Sequence, residues 1–341
     1  MNKLVNCEPL AQRGLSLVEL MVAMAIGTFL LAGAITVFGK TRDLYRTNDA
    51  AARLQETARY AMGTVEADLR MANYWGLMSR ADLIENGPAL DLANLPAVDP
   101  SYTLPAELTG YAGTINQCGA MWAVKLPAYI EATDSYTLGC AADGAGAVAG
   151  ADTLTIRRAS TQPIATGAPL TASAGQIKLQ TSRVQGTMFS SATIPAGYLP
   201  PLSETRALVT NGYYIGQDSD ERAGTPSLRR KQLDVAGGAP AIVDLQVVPG
   251  VEDLQVELGA DFNDDQNADY FVQPGTAIPA GDQIVAVRVW MLVRAEQQEQ
   301  GFTDGRTYDY ASRTGAAALT PGDNFRRLLV SKTIALRNTR R

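Results

Sequence analysis

Residues 12–38 read Gln12-Arg13-Gly14-Leu15-Ser16-Leu17-Val18-Glu19-Leu20-Met21-Val22-Ala23-Met24-Ala25-Ile26-Gly27-Thr28-Phe29-Leu30-Leu31-Ala32-Gly33-Ala34-Ile35-Thr36-Val37-Phe38, and the 24 residues from Leu15 to Phe38 carry a single charge, Glu19. At about 1.5 Å per residue a helix of that length reaches about 36 Å, enough to cross a hydrocarbon core of roughly 30 Å with some tilt. A secretory signal peptide matches Ala32-Gly33-Ala34 as a small-residue cleavage site, but its apolar core is normally shorter and uncharged. A plain membrane anchor also leaves Glu19 without a reason. An ionisable side chain inside a bilayer costs several kcal/mol unless it is paired, so its presence points to a function and a partner.

Composition narrows the rest. The chain has 341 residues, a formal charge of -6 and no histidine, which removes Ser-His-Asp and Cys-His catalysis, His-ligated zinc and haem on a proximal imidazole. Three cysteines cannot build a four-cysteine zinc or iron-sulfur site. A net acidic balance opposes phosphate neutralisation, so no nucleic-acid partner is expected. The basic residues Arg326, Arg327, Lys332, Arg337, Arg340 and Arg341 are read as a solvated strand face.

Beyond Lys40 the chain runs without proline to Pro88, and Leu44, Ala51, Leu54, Ala58, Ala61, Val65, Leu69 and Ala72 recur at helical spacing. Arg53, Glu56, Arg59, Glu66 and Arg70 form the opposite, charged face. One helix from Leu15 to about residue 75 would be on the order of 90 Å long and needs a surface to lie on. Its alanine-rich seam does not keep a strict heptad, so a coiled-coil stalk fits less well than packing against the chain's own domain.

The segment Gln12 to Met21 resembles the cleavage and N-methylation motif of type IV prepilins. The resemblance implies cutting after Gly14 by a prepilin peptidase, methylation of the new amine on Leu15, where the family more often has Phe, and retention of Glu19. A buried carboxylate needs a cation, and the freed amine of a neighbouring subunit supplies one. One count runs the other way: Lys40, Arg42, Arg46 and Arg53 outnumber Lys3 and Arg13, against the positive-inside rule if the leader is cytoplasmic. Further along, Arg53-Leu54-Gln55-Glu56-Thr57-Ala58-Arg59-Tyr60-Ala61 and Ala67-Asp68-Leu69-Arg70-Met71-Ala72-Asn73-Tyr74-Trp75-Gly76 resemble the helix end of PilW-type minor pilins. Leu77 stands where members commonly have Cys, so no disulfide forms there. Pieces of the same resemblance recur at residues 151–158, 249–256, 285–290, 326–327 and 335–338.

Three spans are expected on this basis: a leader over 1–14, a pilin helix over 15–75 that crosses the membrane over about 15–38, and a periplasmic β-rich domain over 76–341. The fold class is α+β, a long N-terminal helix packed on an antiparallel β-sheet domain. Strands are expected at Met121–Leu126, Thr153–Arg158, Gln176–Leu179, Leu208–Ile215, Ser227–Leu233, Ile242–Val247, Leu254–Leu258, Gln283–Arg294 and Arg326–Leu336. The nearly all-apolar run Ile284–Val293 belongs at a sheet centre, whereas Asn86–Pro105 and Ala141–Gly150 read as exposed loops. Loss of the leader removes Cys7 and leaves Cys118 and Cys140, which in an exported domain read as a disulfide, with two buried free thiols as the alternative.

Asp261, Asn263, Asp265, Asn267 and Asp269 place oxygen-bearing side chains at every second residue, the spacing that converges ligands on Ca²⁺. Gln266 replaces the turn glycine of an EF-hand and Val272 its bidentate glutamate, and Asp/Asn-rich turns also form without metal. No cofactor is required, with calcium the one candidate. Ala34–Thr41 matches a relaxed phosphate loop inside the apolar run, and Gly144–Ala149 a relaxed dinucleotide fingerprint with no strand before it; both are read as accidental.

The resemblance implies a minor pilin, a non-enzymatic subunit that primes type IV pilus assembly at the inner membrane and sits at or near the tip. Its partners would be other minor pilins, the major pilin, the peptidase and a tip adhesin. A minor pseudopilin of a type II secretion system shares the leader, helix and β domain. An exported hydrolase with a signal peptide is the reading from another class, with a mature start at Ile35 in place of a methylated Leu15.

Overall fold

Ser16 starts the long helix. A computed structural model describes residues 16–85, 104–164, 170–198 and 202–339, so the leader with Lys3 and Cys7, the cleavage pair Gly14 and Leu15, most of the loop expected at 86–105, and Arg340 and Arg341 lie outside the described residues. Helix α1 spans Leu17–Met71. Ser16 Oγ accepts the Glu19 backbone N–H at 3.2 Å, capping the first turn, and Glu19 sits where the positive end of the helix dipole favours an acid. The helix was expected to reach residue 75. It ends earlier because Asn73 adopts a left-handed backbone conformation (φ 61°), which Asn tolerates better than most residues, and donates its N–H out of the helix to the Arg157 carbonyl.

The chain divides into two units, Met1–Ala52 and Arg53–Arg341. In the first, the described residues are helical, and the large apolar side chains from Leu17 to Phe38 are exposed. In the second, the remainder of α1 lies on two sheets.

The first sheet has eight strands: β1 (Ile84–Glu85), β2 (Ile130–Thr133), β3 (Thr153–Ile164), β4 (Lys178–Ser182), β5 (Gly186–Phe189), β6 (Ser203–Gly216), β7 (Ser227–Ala236) and β8 (Ala239–Pro249). Its order is β1-β5-β4-β6-β3-β2, and it is antiparallel except for the β1–β5 pair. The length of β6 explains the branch: its first half pairs with β4 and its second half with β7, while β3 lines the other edge. The second sheet has four strands, β9 (Val251–Asp261), β10 (Tyr270–Val272), β11 (Gln283–Arg294) and β12 (Arg327–Ala335), in the order β10-β9-β11-β12 and antiparallel throughout. The apolar run Ile284–Val293 thus lies between two strands.

The main core forms where α1 meets both sheets: Leu54, Ala58, Ala61, Val65 and Leu69 pack with Leu154, Ile156 and Tyr213 of the first sheet and with Leu254, Val256, Val287 and Val289 of the second. Each buried Leu or Val contributes roughly 1.5–3 kcal/mol. A second core on the other face of the first sheet gathers Trp75, Ile115, Trp122, Leu126 and Leu179. There the expected strand Met121–Leu126 is instead a series of turns. Its backbone is satisfied by side chains, since Asn116 Oδ1 accepts the Met121 N–H, Arg157 Nε donates to the Trp122 carbonyl and Thr210 Oγ1 donates to the Ala123 carbonyl. Cys118 and Cys140 join there in a disulfide spanning 22 residues; such a loop contributes about 3 kcal/mol in the chain-entropy account. The basic C-terminal strand is a solvated face only in part: Lys332 and Arg337 are exposed as expected, but its first residues are not. Arg327 is buried and bridges Glu252 and Asp323, and Arg326 pairs with Glu299.

Candidate functional site

Within Arg53–Arg341 the helix is held by polar contacts as well as apolar ones. Asp68 stands on the buried side of α1, between Val65 and Ala72, and is 6% exposed. Its Oδ1 accepts from Arg158 Nη2 at 2.8 Å and Nε at 3.2 Å; its Oδ2 accepts from Asn211 Nδ2 at 2.6 Å and Tyr213 Oη at 2.5 Å. One carboxylate thereby ties the helix to β3 and β6. Burial, reinforced by the Asp68 charge, pushes the Tyr213 hydroxyl far above its ordinary range, so it stays a donor.

Two further attachments flank this one. Glu66 accepts from Lys332 Nζ of β12 and from Arg70, and those two bonds hold its carboxyl below the usual carboxylate range. At the helix end Asn338 Nδ2 donates to the Ala72 carbonyl at 3.1 Å while Asn73 Nδ2 donates to the Asn338 carbonyl at 2.7 Å. Trp75 Nε1 donates to Asn73 Oδ1, fixing the amide that reaches the C-terminal segment. Gly76 follows with φ 83°, and a Cβ there would stand 2.4 Å from Glu204 Oε1, so only glycine suits the turn.

The two sheets are joined at Asp152. Its backbone N–H donates to the Leu254 carbonyl and its Oδ2 accepts the Val256 N–H, both at 2.8 Å, while its Oδ1 has no hydrogen-bond partner. Burial pushes this carboxyl up to about 7; the Val256 N–H and Arg313 counteract that, and Asp134 and Asp253 add to it.

Of the residues singled out from sequence, Glu19 lies in the exposed first turn of α1, and Cys118 and Cys140 are bonded to each other. Asp261, Asn263, Asp265, Asn267 and Asp269 do gather, in the turn joining β9 to β10. Their oxygens serve that turn: Asp261 accepts the N–H groups of Asn263 and Gln266, Asp269 that of Phe262, Asn263 that of Asp265, and Asp265 that of Asn267. Among the described residues no three acidic or thiol groups come together as a metal-holding set.

The contacts of Asp68, Asp152 and Asn338 do not follow from sequence alone. For Asp68 a signal was present, the same one that marks Glu19: an acid set into an apolar helical face. For Asp152 and Asn338 nothing local distinguishes the residue; the partners are more than a hundred positions away.

The long helix thus opens as an exposed apolar segment with an acid in its first turn and ends packed on an antiparallel β domain. Residues 10–35 match the family model for the prokaryotic N-terminal methylation motif, and residues 212–338 match that for Type IV Pilus-assembly protein W, PilW. The Pilin-like protein PilA3 of Thermus thermophilus is 44% identical over 66 residues, 19% of this chain and 28% of that protein, so the match spans little more than a quarter of the relative's length. A solved type IV-like pilin, also from Thermus thermophilus, is 16% identical, with a TM-score of 0.28, over 56% of this chain and 79% of that one. The chain is a type IV pilin-like protein with a PilW domain.

Proposed function

We propose that this chain is a minor pilin: a non-enzymatic subunit held in the inner membrane by residues 15–38, with its β domain in the periplasm, that primes type IV pilus assembly and resides at or near the tip. The supporting observation is the contrast along α1. From Leu17 to Phe38 its large apolar side chains have no cover, and they need a bilayer or neighbouring helices, whereas from Leu54 to Ala72 its apolar face is already occupied. The prepilin peptidase would cut after Gly14, Leu15 would carry the methyl group, and the amine of a neighbouring subunit would pair with Glu19. Other minor pilins, the major pilin and a tip adhesin are the partners.

The test counts surface pili in cells lacking the chain, beside export of type II substrates in the same cells. Loss of pili with normal export is the expected result; normal pili with blocked export would make the chain a minor pseudopilin. In cells complemented with Glu19→Ala the leader is expected to be cleaved normally. Breaking a buried ion pair costs about 3–5 kcal/mol, so incorporation of this variant into filaments should fall more than about 100-fold. Wild-type incorporation would remove the role assigned to Glu19.

We infer that no cofactor is required. The oxygens of the β9–β10 turn are already engaged by its own amides, and calcium chloride at millimolar concentration is expected to move the melting temperature by less than about 1 °C. A rise of several degrees, abolished by Asp265→Ala, would instead establish a calcium site.

A further inference from the structure

Lys40, Arg42 and Arg46 follow the apolar run within two helical turns. All three are exposed, and among the described residues none has a carboxylate partner. Even with Asp43 counted, residues 40–46 are net positive. Phe38 and Tyr45, each 73% exposed, share a helical face with Arg42 and Arg46 at 100° per residue, while Lys40 lies on the opposite side. Aromatic rings beside cations, placed where a hydrocarbon-spanning segment stops, are the side chains that suit a headgroup layer. Helical side chains lean toward the N-terminus, so Arg42 and Arg46 reach back toward that layer even though their backbone lies beyond it. Cations at this end of the span also oppose the usual charge bias of membrane insertion, and that cost calls for a compensating partner.

Building on the membrane-anchored reading above, we propose that Lys40, Arg42 and Arg46 bind the phosphates of anionic phospholipids in the leaflet at the C-terminal end of the apolar run. Two of the cations share one helical face and the third lies on the far side, so a layer of lipid headgroups around the helix meets all three, whereas a neighbouring protein on a single face would not.

The test places the full chain in bilayer discs of phosphatidylcholine containing about one-fifth phosphatidylglycerol, and identifies by native mass spectrometry the lipids that leave with it. Phosphatidylglycerol is expected to be enriched over the bulk ratio by at least about 5-fold at low salt, with loss of most of the enrichment near 1 M salt, where the Debye length is about 3 Å. The triple variant K40Q/R42Q/R46Q should still enter the discs but retain lipids at the bulk ratio. A bulk ratio for the wild-type chain, or unchanged enrichment in the triple variant, would overturn the proposal. Cross-linking of the three positions to an acidic neighbouring subunit, with no lipid preference, would assign them to a protein contact instead. Failure of the wild-type chain to enter the discs would remove the membrane-anchored reading itself, a result distinct from entry without preference.

Discussion

Asp68→Ala is expected to lower the melting temperature of the detergent-solubilised full chain by on the order of 10 °C, the effect of losing about 3–5 kcal/mol from a domain of this size. The removed carboxylate is the acceptor for Arg158, Asn211 and Tyr213 at once. Alanine leaves a largely buried guanidinium without its counter-charge and two buried donors without acceptors, and the desolvation of all three is then uncompensated. The variant Asp68→Leu with Arg158→Met removes both charges together and should recover the part of the loss due to the unpaired guanidinium, while the Asn211 and Tyr213 donors stay without an acceptor and keep the variant below the wild-type chain. A drop of less than about 1 kcal/mol for Asp68→Ala would mean that the apolar face alone seats the helix.

On the minor-pilin reading proposed above, the same substitution bears on assembly: the polar ties at Asp68, Glu66 and Asn73 hold the C-terminal part of α1 on its domain, which apolar packing by itself does less sharply. Weakening that seat should therefore reduce filament entry by a route different from Glu19→Ala. Asp68→Ala should lower the amount of intact subunit in the membrane, whereas Glu19→Ala should leave the amount unchanged and block its incorporation.

Much of this architecture was legible because it rests on local pattern. The apolar run, the helical face from Leu54 to Ala72, and long strands such as β3, β7, β9 and β11 each declare themselves within about ten residues. The nearly all-apolar run Ile284–Val293 of β11 reads as a sheet centre, and β11 lies between β9 and β12. β1, β2, β5 and β10 were not visible, being two to four residues long and formed only because a longer strand offers an edge. Met121–Leu126 carries a strand-like apolar content, but its carbonyls and amides are claimed by Arg157, Thr210 and Asn116, and those partners come from tertiary structure. Arg327 misled for the opposite reason: a basic residue in a basic tail reads as solvated, yet Glu252 and Asp323 neutralise it in the interior. Ser16 and Glu19 stand at the spacing of a capping box, and Ser16 Oγ accepts the Glu19 N–H.

Asp152→Asn should change the pH dependence of stability more than any other single substitution considered. In the folded chain this carboxyl titrates near pH 7, against about 3.8 for an ordinary aspartate. Below pH about 4 the group is protonated whether the chain is folded or not, and it makes no difference to stability. From there to about pH 7 the folded state binds a proton that the unfolded state has lost, so stability falls as pH rises, by up to about 4 kcal/mol in total, and then levels off. Asparagine cannot titrate, and its carbonyl can still accept the Val256 N–H. The difference in unfolding free energy between Asp152→Asn and the wild-type chain should therefore shift in favour of the variant by about 3–4 kcal/mol between pH 4 and pH 8, whatever its offset at pH 4. Other carboxylates titrate equally in both chains and cancel from the comparison, which paired denaturant melts across that range can measure. Parallel curves would show that Asp152 is already ionised in the folded state, with its charge carried by Arg313 and the Val256 N–H despite burial. A shift of the expected size would identify the joint between the two sheets as the place where the domain loosens as the medium becomes alkaline, since the ionised Oδ1 has no hydrogen bond to stabilise it.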